Sequence, residues 1–533
     1  MKRRQLLSAA TAGTALSALP QLARPALAQG SSNARVLRFV PHADLANPDP
    51  IWSTTTVAAM HGFMVWDWLY GLDEKFLPHP QMVGREDITD DGLTWTLTLR
   101  EGLVHHDGEK VRAIDAVTSI GRAARRQPLV ETLMNATNEL AALDDNRLRF
   151  RLKKKFSLLP YALAGIAIMP ERIAKTDAFT QISEYVGSGP YKFVRDEWKA
   201  GAGAVYARHD KYVPRAEPIS MWAGGKTTFF DRVEWTTIPD PSTAAAALQR
   251  GEIDWLDAPL IDLVPQLRKA NGVKVELFDQ LGNLMSLFFN HYQPPFDNVK
   301  LRRAVIAAIS QQDFVDAVLG DQQKDLGGIN VGVFPPASPY ASKAGLEVLT
   351  GPRDLAAARK MVSESGYKGE LIVLMSPTEI ASIRQSSLVA ESVLKSLGLN
   401  VQLASMDWGT MIQRRNSREP VEKGGWSCYT TSWTGLSINT PATHLPLRAN
   451  GAAAGAWWRP TDPELEKLRD TWFDAPDLAA QKRIAEDIQR RALNEAAFVP
   501  LGLQFQPTAF RNTLTGFPRS GFAVFWGVRK VSA

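Results

Sequence analysis

The stretch that decides the fold class begins Leu371-Ile372-Val373-Leu374-Met375, continues through Ile380, Ile383, Val393, Leu394, Leu397 and Gly398, and closes with Asn400-Val401-Gln402-Leu403-Ala404-Ser405. The opening apolar run is too short for a helix and suits a buried strand. The apolar residues behind it recur at roughly helical spacing and stop at a glycine. A second strand follows almost at once. Strand, helix and strand in that order predict two parallel strands joined by a right-handed crossover, so the chain is α/β in class.

Working outward, the same grammar recurs. Ser242 to Arg250 is an alanine-rich helix that ends at Gly251. Ser310-Gln311-Gln312-Asp313 has the spacing of a capping box, with Asp in place of Glu, ahead of a helix carrying Phe314 and Val318 and ending at Gly320. Leu465, Leu468 and Trp472, then Ile484 and Ile488, predict two amphipathic helices broken at Ala475-Pro476. Nearer the N-terminus the reading is strand and loop. Thr94-Trp95-Thr96-Leu97-Thr98-Leu99 alternates with period two, Glu101-Gly102 and Asp107-Gly108 are turns, and Gly187-Ser188-Gly189-Pro190 precedes a strand from Tyr191 to Val194. Val213 to Lys226 and Ala449 to Pro463 read as linker-like stretches.

The first residues carry a different signal. Met1-Lys2-Arg3-Arg4 is basic, Leu6 to Leu22 is apolar or small, and Ala26 and Ala28 stand at the −3 and −1 positions of a cut after Ala28. These are the three parts of a secretory signal peptide, and Arg3-Arg4 points to the twin-arginine route, with a Sec signal as the alternative. The segment holds Lys2, Arg3, Arg4 and Arg24 with no acid, so it accounts for most of the net charge of +5. The remaining chain is nearly neutral, which excludes a nucleic-acid binder of the usual basic kind. Cys428 is the single cysteine, so neither an intramolecular disulfide nor an N-terminal lipid anchor is available. A soluble periplasmic protein of about three domains is expected.

Enzyme motifs fail on inspection. Gly225-Lys226-Thr227 resembles the end of a phosphate-binding loop, but the opening glycine is replaced by Ser220 and a strand follows rather than a helix. Ser392-Val393-Leu394-Lys395 has a nucleophile spacing inside an amphipathic helix and lacks its partner motifs. His105-His106-Asp107 offers ligand chemistry without converging spacing. No catalytic residue, metal site or cofactor is expected.

Several blocks, in order, resemble family 5 of the bacterial extracellular solute-binding proteins, the dipeptide-, oligopeptide- and nickel-type receptors of ABC transporters. They are Asp90-Asp91-Gly92-Leu93-Thr94-Trp95-Thr96 with His106-Asp107-Gly108, then Gly187 to Phe193, Ile238-Pro239-Asp240-Pro241-Ser242-Thr243 and Gly251-Glu252-Ile253-Asp254. Phe289-Asn290, Pro294 to Arg302, Ala358-Arg359-Lys360 with Gly366-Tyr367, and Phe498-Val499-Pro500-Leu501 complete the series. The resemblance implies a two-lobed, type II periplasmic-binding-protein (Venus-flytrap) fold with an extra subdomain in the N-terminal lobe. Lobe I is expected at 29–279, with the subdomain at about 66–185, lobe II at 280–498, and a return to lobe I at 499–533. Hinge crossings are expected near Gln280 to Asn290 and Ala497 to Gln504. The implied partners are a small or peptide-like ligand and an inner-membrane ABC permease, with the protein a monomer.

The resemblance also implies site residues. Trp426 to Trp433 reads as a strand that lines the cleft, followed by Thr434 and Gly435. In the loop beyond, Asn439 occupies a position where peptide-binding members place an Asp for the ligand's α-ammonium. An amide carries no charge, so a free amine loses the stronger, charge-assisted bond there. The ligand amine is then blocked, absent or held elsewhere. Trp433 either stacks on the ligand or fills its lobe. Asp44 and Asn47, beyond the strand Val36 to Val40, either touch ligand or form a solvated turn. Gln504 is a further candidate at the second crossing. A periplasmic hydrolase and a sensory adaptor are the competing functions; no nucleophile–base pair supports the first.

Overall fold

The computed structural model describes residues 35–53, 55–378, 380–451 and 460–531. The signal segment 1–28 lies outside the described residues, as does most of the stretch Ala449 to Pro463.

The strand–helix–strand unit is present. Ile372–Pro377 and Val401–Met406 pair in parallel from Ile372 opposite Val401 onward, and the helix Ala381–Ser396 joins them. Cys428–Thr434 lies parallel on the other side of Ile372–Pro377, then pairs antiparallel with Asn283–Phe289. With Val499–Gln504 and Gly327–Gly328 these strands form a six-stranded sheet. Its core holds Leu287, Phe288, Trp426, Tyr429, Leu501 and Trp472.

A seven-stranded sheet forms a second centre. Val36–Val40 runs parallel to both Arg232–Thr236 and Trp255–Leu256, and antiparallel strands extend the sheet on either side. A four-stranded antiparallel sheet, Val83–Ile88, Thr94–Leu99, Arg147–Leu152 and Thr137–Ala142, packs with the helix Ala113–Ala124 into the same core. These strands fall within the span, about 66–185, where the extra subdomain is expected.

Local signals explain the elements. Asp240 caps Pro241–Arg250 by accepting the Thr243 N–H at 2.7 Å, and Gly251 at φ 75° ends it. The Ser310 hydroxyl oxygen accepts the Asp313 N–H at 3.3 Å ahead of Gln311–Leu319, yet the Asp313 carboxylate accepts from that hydroxyl instead of reaching the backbone. The shorter side chain of Asp explains the difference.

The chain passes between the two sheets twice. Glu276 sits opposite Thr508 in the first, and Asn283 opposite Gln504 in the second. Residues 277–282 and 505–507 are therefore the crossings, side by side. The spans expected for them lie mostly inside strands. Val499–Gln504, expected to begin the return to the first lobe, instead belongs to the six-stranded sheet, because Val499, Leu501 and Leu503 are fully buried in its core. Among the described residues no helix is long and apolar enough to cross a membrane.

Candidate ligand-binding cleft

Parallel strands send their C-terminal loops to one edge, and that edge is where α/β sheets place ligands. Phe39 pairs with Trp255 and Val40 with Leu256, so the loops beyond both strands meet. The result is a contact between His42 and Asp257, with Nδ1 2.5 Å from Oδ2, and the His42 backbone N–H reaches the same oxygen at 3.3 Å. Burial disfavours the imidazolium here, but the Asp257 hydrogen bond and charge outweigh it and leave the His42 pKa raised.

His42 and Asp257 stand at the edge of a cavity of about 510 Å³, within the range of small-solute sites. On the first-lobe side its walls include Trp255, Phe278, Asp279 and Phe522; on the second-lobe side they include Asn283, Thr434, Gly435 and Leu436. Gly435 is there because nothing larger fits. Its N–H donates to the Gly282 carbonyl at 2.6 Å, and a Cβ would fall 2.3 Å from Leu281 Cβ on the crossing. Gln506 lines the cavity from the second crossing, its amide donating to the Pro259 carbonyl at 3.0 Å.

The sequence candidates divide. Thr434 and Gly435 line this cavity. Trp426 does not: it is fully buried, edge-on to Tyr429 at 5.4 Å, because this end of the strand is enclosed on both faces. Trp433 is half-buried and packs edge-on to Phe288 within the second lobe. Asp44 accepts from the Thr237 hydroxyl at 3.3 Å, and Asn47 from the Gln181 amide at 2.9 Å. Gln504 is taken into the sheet between Asn283 and Gly327, and Gln506, two residues on, faces the cavity instead.

Asn439 corrects the expectation most clearly. It has no exposed surface, its Oδ1 accepts the Tyr161 hydroxyl at 3.2 Å, and its backbone carbonyl accepts the Ser338 hydroxyl at 2.6 Å. Instead of lining the main cavity, it joins the second lobe to the subdomain of the first.

Sequence reading missed His42, Asp257 and Asp279. The first two had a usable signal, an ionisable residue just past a parallel strand; Asp279 had none, since only the crossing geometry turns it inward.

The apparent enzyme motifs are accounted for locally. Lys226 is fully buried, its Nζ 2.5 Å from Asp67 and 3.2 Å from the centre of the Trp68 ring. Lys395 pairs with Glu391 at 2.7 Å. His105 meets Asp115 at 3.3 Å, His106 the Gly189 carbonyl at 3.1 Å, and Asp107 pairs with Arg172. Among the described residues no group of three or more His, Cys, Asp or Glu is placed to hold a metal ion.

Comparison with known proteins bears on this cleft. A family model described as bacterial extracellular solute-binding proteins, family 5 Middle, matches residues 78–454. The chain is 34% identical over 540 residues to the "Probable peptide ABC transporter periplasmic-binding protein y4tO" of Sinorhizobium fredii, covering 99% of each. It is 24% identical over 497 residues to the glutathione-binding protein GsiB of Escherichia coli, covering 89% of this chain and 91% of the relative. Among solved structures, the ABC transporter substrate-binding protein CtaP of Listeria monocytogenes superposes with a TM-score of 0.77 at 21% identity, over 93% of this chain and 99% of that one.

Proposed function

Because the chain belongs to family 5 of the bacterial extracellular solute-binding proteins, we propose that it captures a peptide-like small solute in the cleft between its lobes and delivers it to an inner-membrane ABC permease. A substrate-binding role in an importer is common ground with its relatives; the cleft as the site, and the solute class, are our reading. The observation that carries it is the cavity itself, walled from both lobes and floored by the two crossings. Each wall alone offers the ligand half its contacts. A solute touching both therefore stabilises the closed form by its differential affinity for it, and the crossings bend while the cores stay packed.

The remaining parts follow from the sequence. Residues 1–28 direct export by the twin-arginine route, so the protein folds before crossing the membrane and works in the periplasm as a monomer. Residues 29–279 with the C-terminal segment form lobe I, and lobe II lies between. The ligand is returned unchanged, in keeping with the chain's membership of a solute-binding family. Native mass spectrometry of protein taken from its own periplasm tests the reading. One small solute should travel with it, and the same solute should be recovered intact after prolonged incubation. A hydrolysed product would overturn it.

A further inference from the structure

We propose that Asp279 is the charge anchor of the cleft and that the ligand is a cation, an ammonium or guanidinium compound without a free carboxylate. The inference rests on the cleft being the ligand site.

Three ionisable side chains line the described cavity: His42, Asp257 and Asp279. His42 and Asp257 satisfy each other at 2.5 Å. Asp279 has no such partner. Its Oδ1 accepts the backbone N–H of Leu281 at 2.9 Å, and no lysine, arginine or histidine pairs with it among the described residues. A carboxylate held part-way out of water with no counter-charge is costly, and a ligand cation removes the cost. Burial accordingly pushes the Asp279 carboxyl up, against the pull of the Leu281 and Gly282 N–H groups.

The surroundings suit a cation. Phe278 and Phe522 flank Asp279 in sequence or across the cavity, and aromatic faces attract cations as well as apolar groups. Gly521 leaves the carboxylate uncovered: a Cβ there would rest 3.5 Å from Oδ1, and anything larger would grow over it. No lysine or arginine lines the described cavity and its histidine, His42, is already engaged by Asp257, so a ligand carboxylate would be desolvated without a free cation to pair with. Asp279 lies on the first crossing, so a cation bound to it sits at the axis about which the lobes move.

The test uses three matched probes titrated calorimetrically into the full mature protein: leucyl-leucine amide (cation), its N-acetyl derivative (neutral) and N-acetyl-leucyl-leucine (anion). The expected order is cation over neutral by about tenfold or more, with the anion weakest. Asp279→Asn should erase the preference for the cation over the neutral probe. A neutral or anionic probe binding as tightly as the cation overturns the proposal, as does an unchanged preference in Asp279→Asn or no binding by any probe at millimolar concentration. Thr434→Trp, which fills the second-lobe wall, separates this from the larger reading. Binding that survives it means the cleft is not the site at all.

Discussion

The Tyr161 hydroxyl donates a 3.2 Å hydrogen bond to Oδ1 of Asn439, tying the subdomain of the first lobe to the loop beyond Cys428–Thr434 in the second. Burial pushes the Tyr161 phenol up to about 12, with the Asn439 and Thr440 side chains pulling the other way, so it stays a donor at working pH. As a bond between the two lobes, it has to break if they are to part. Removing it with Tyr161→Phe leaves Asn439 Oδ1 buried without its partner and should weaken ligand binding about fivefold, roughly 1 kcal/mol. Calorimetry with the co-purified solute measures it; an unchanged affinity would remove this bond from the closing mechanism.

Asn439→Asp restores the acid that the family resemblance places at this loop. In this chain it should not improve the capture of free amines. The site is fully buried, and among the described residues the bond this side chain receives comes from the Tyr161 hydroxyl rather than from a cation. A loss of about 3 kcal/mol or more in stability is expected, from the cost of a buried, unpaired charge. Thermal unfolding and titration of an unmodified dipeptide decide between that outcome and a gain of affinity.

Cys428 lies at the start of a central strand with no exposed surface, and burial pushes its thiol well above the ordinary range. Colorimetric thiol titration should find no reactive group in the native protein and one after unfolding in guanidinium chloride. A fast native reaction would mean that the six-stranded sheet opens at this strand.

His61, His106, His291 and His444 are each held down at about 3, chiefly by burial. Their folded values lie below the unfolded value near 6.5, so the unfolded chain binds more protons between the two. Stability is therefore lost as pH falls below about 6.5, by up to about 1.4 kcal/mol per pH unit for each histidine. His444 Nε2 meets the Val333 carbonyl at 2.8 Å, a bond that a glutamine amide can imitate. His444→Gln should lower the acid slope of the unfolding free energy by about one proton, whatever it does to absolute stability. An unchanged slope would contradict a neutral, buried His444.

Much of the fold was legible because it is written in short-range signals. The run Leu371 to Met375, the stops at Gly251 and Gly398 and the cap at Ser310 each act within a few residues, and the corresponding elements formed as expected. The crossings were harder. Leu284 to Phe289 and Val499 to Leu503 read equally well as straps or as buried strands, and only their pairing decides. The site was least legible, because it is made where distant loops meet. Thr434 and Gly435 reach the cavity, while Trp426 is drawn into a core and Asn439 is engaged by Tyr161, a residue 278 positions away. No local pattern announces such a partner.

Small-angle X-ray scattering on the mature protein, with and without saturating co-purified solute, tests the central claim most directly. Two rigid cores closing on a ligand predict a smaller radius of gyration in the loaded protein and an unchanged content of secondary structure. Identical scattering curves in both states would contradict the account.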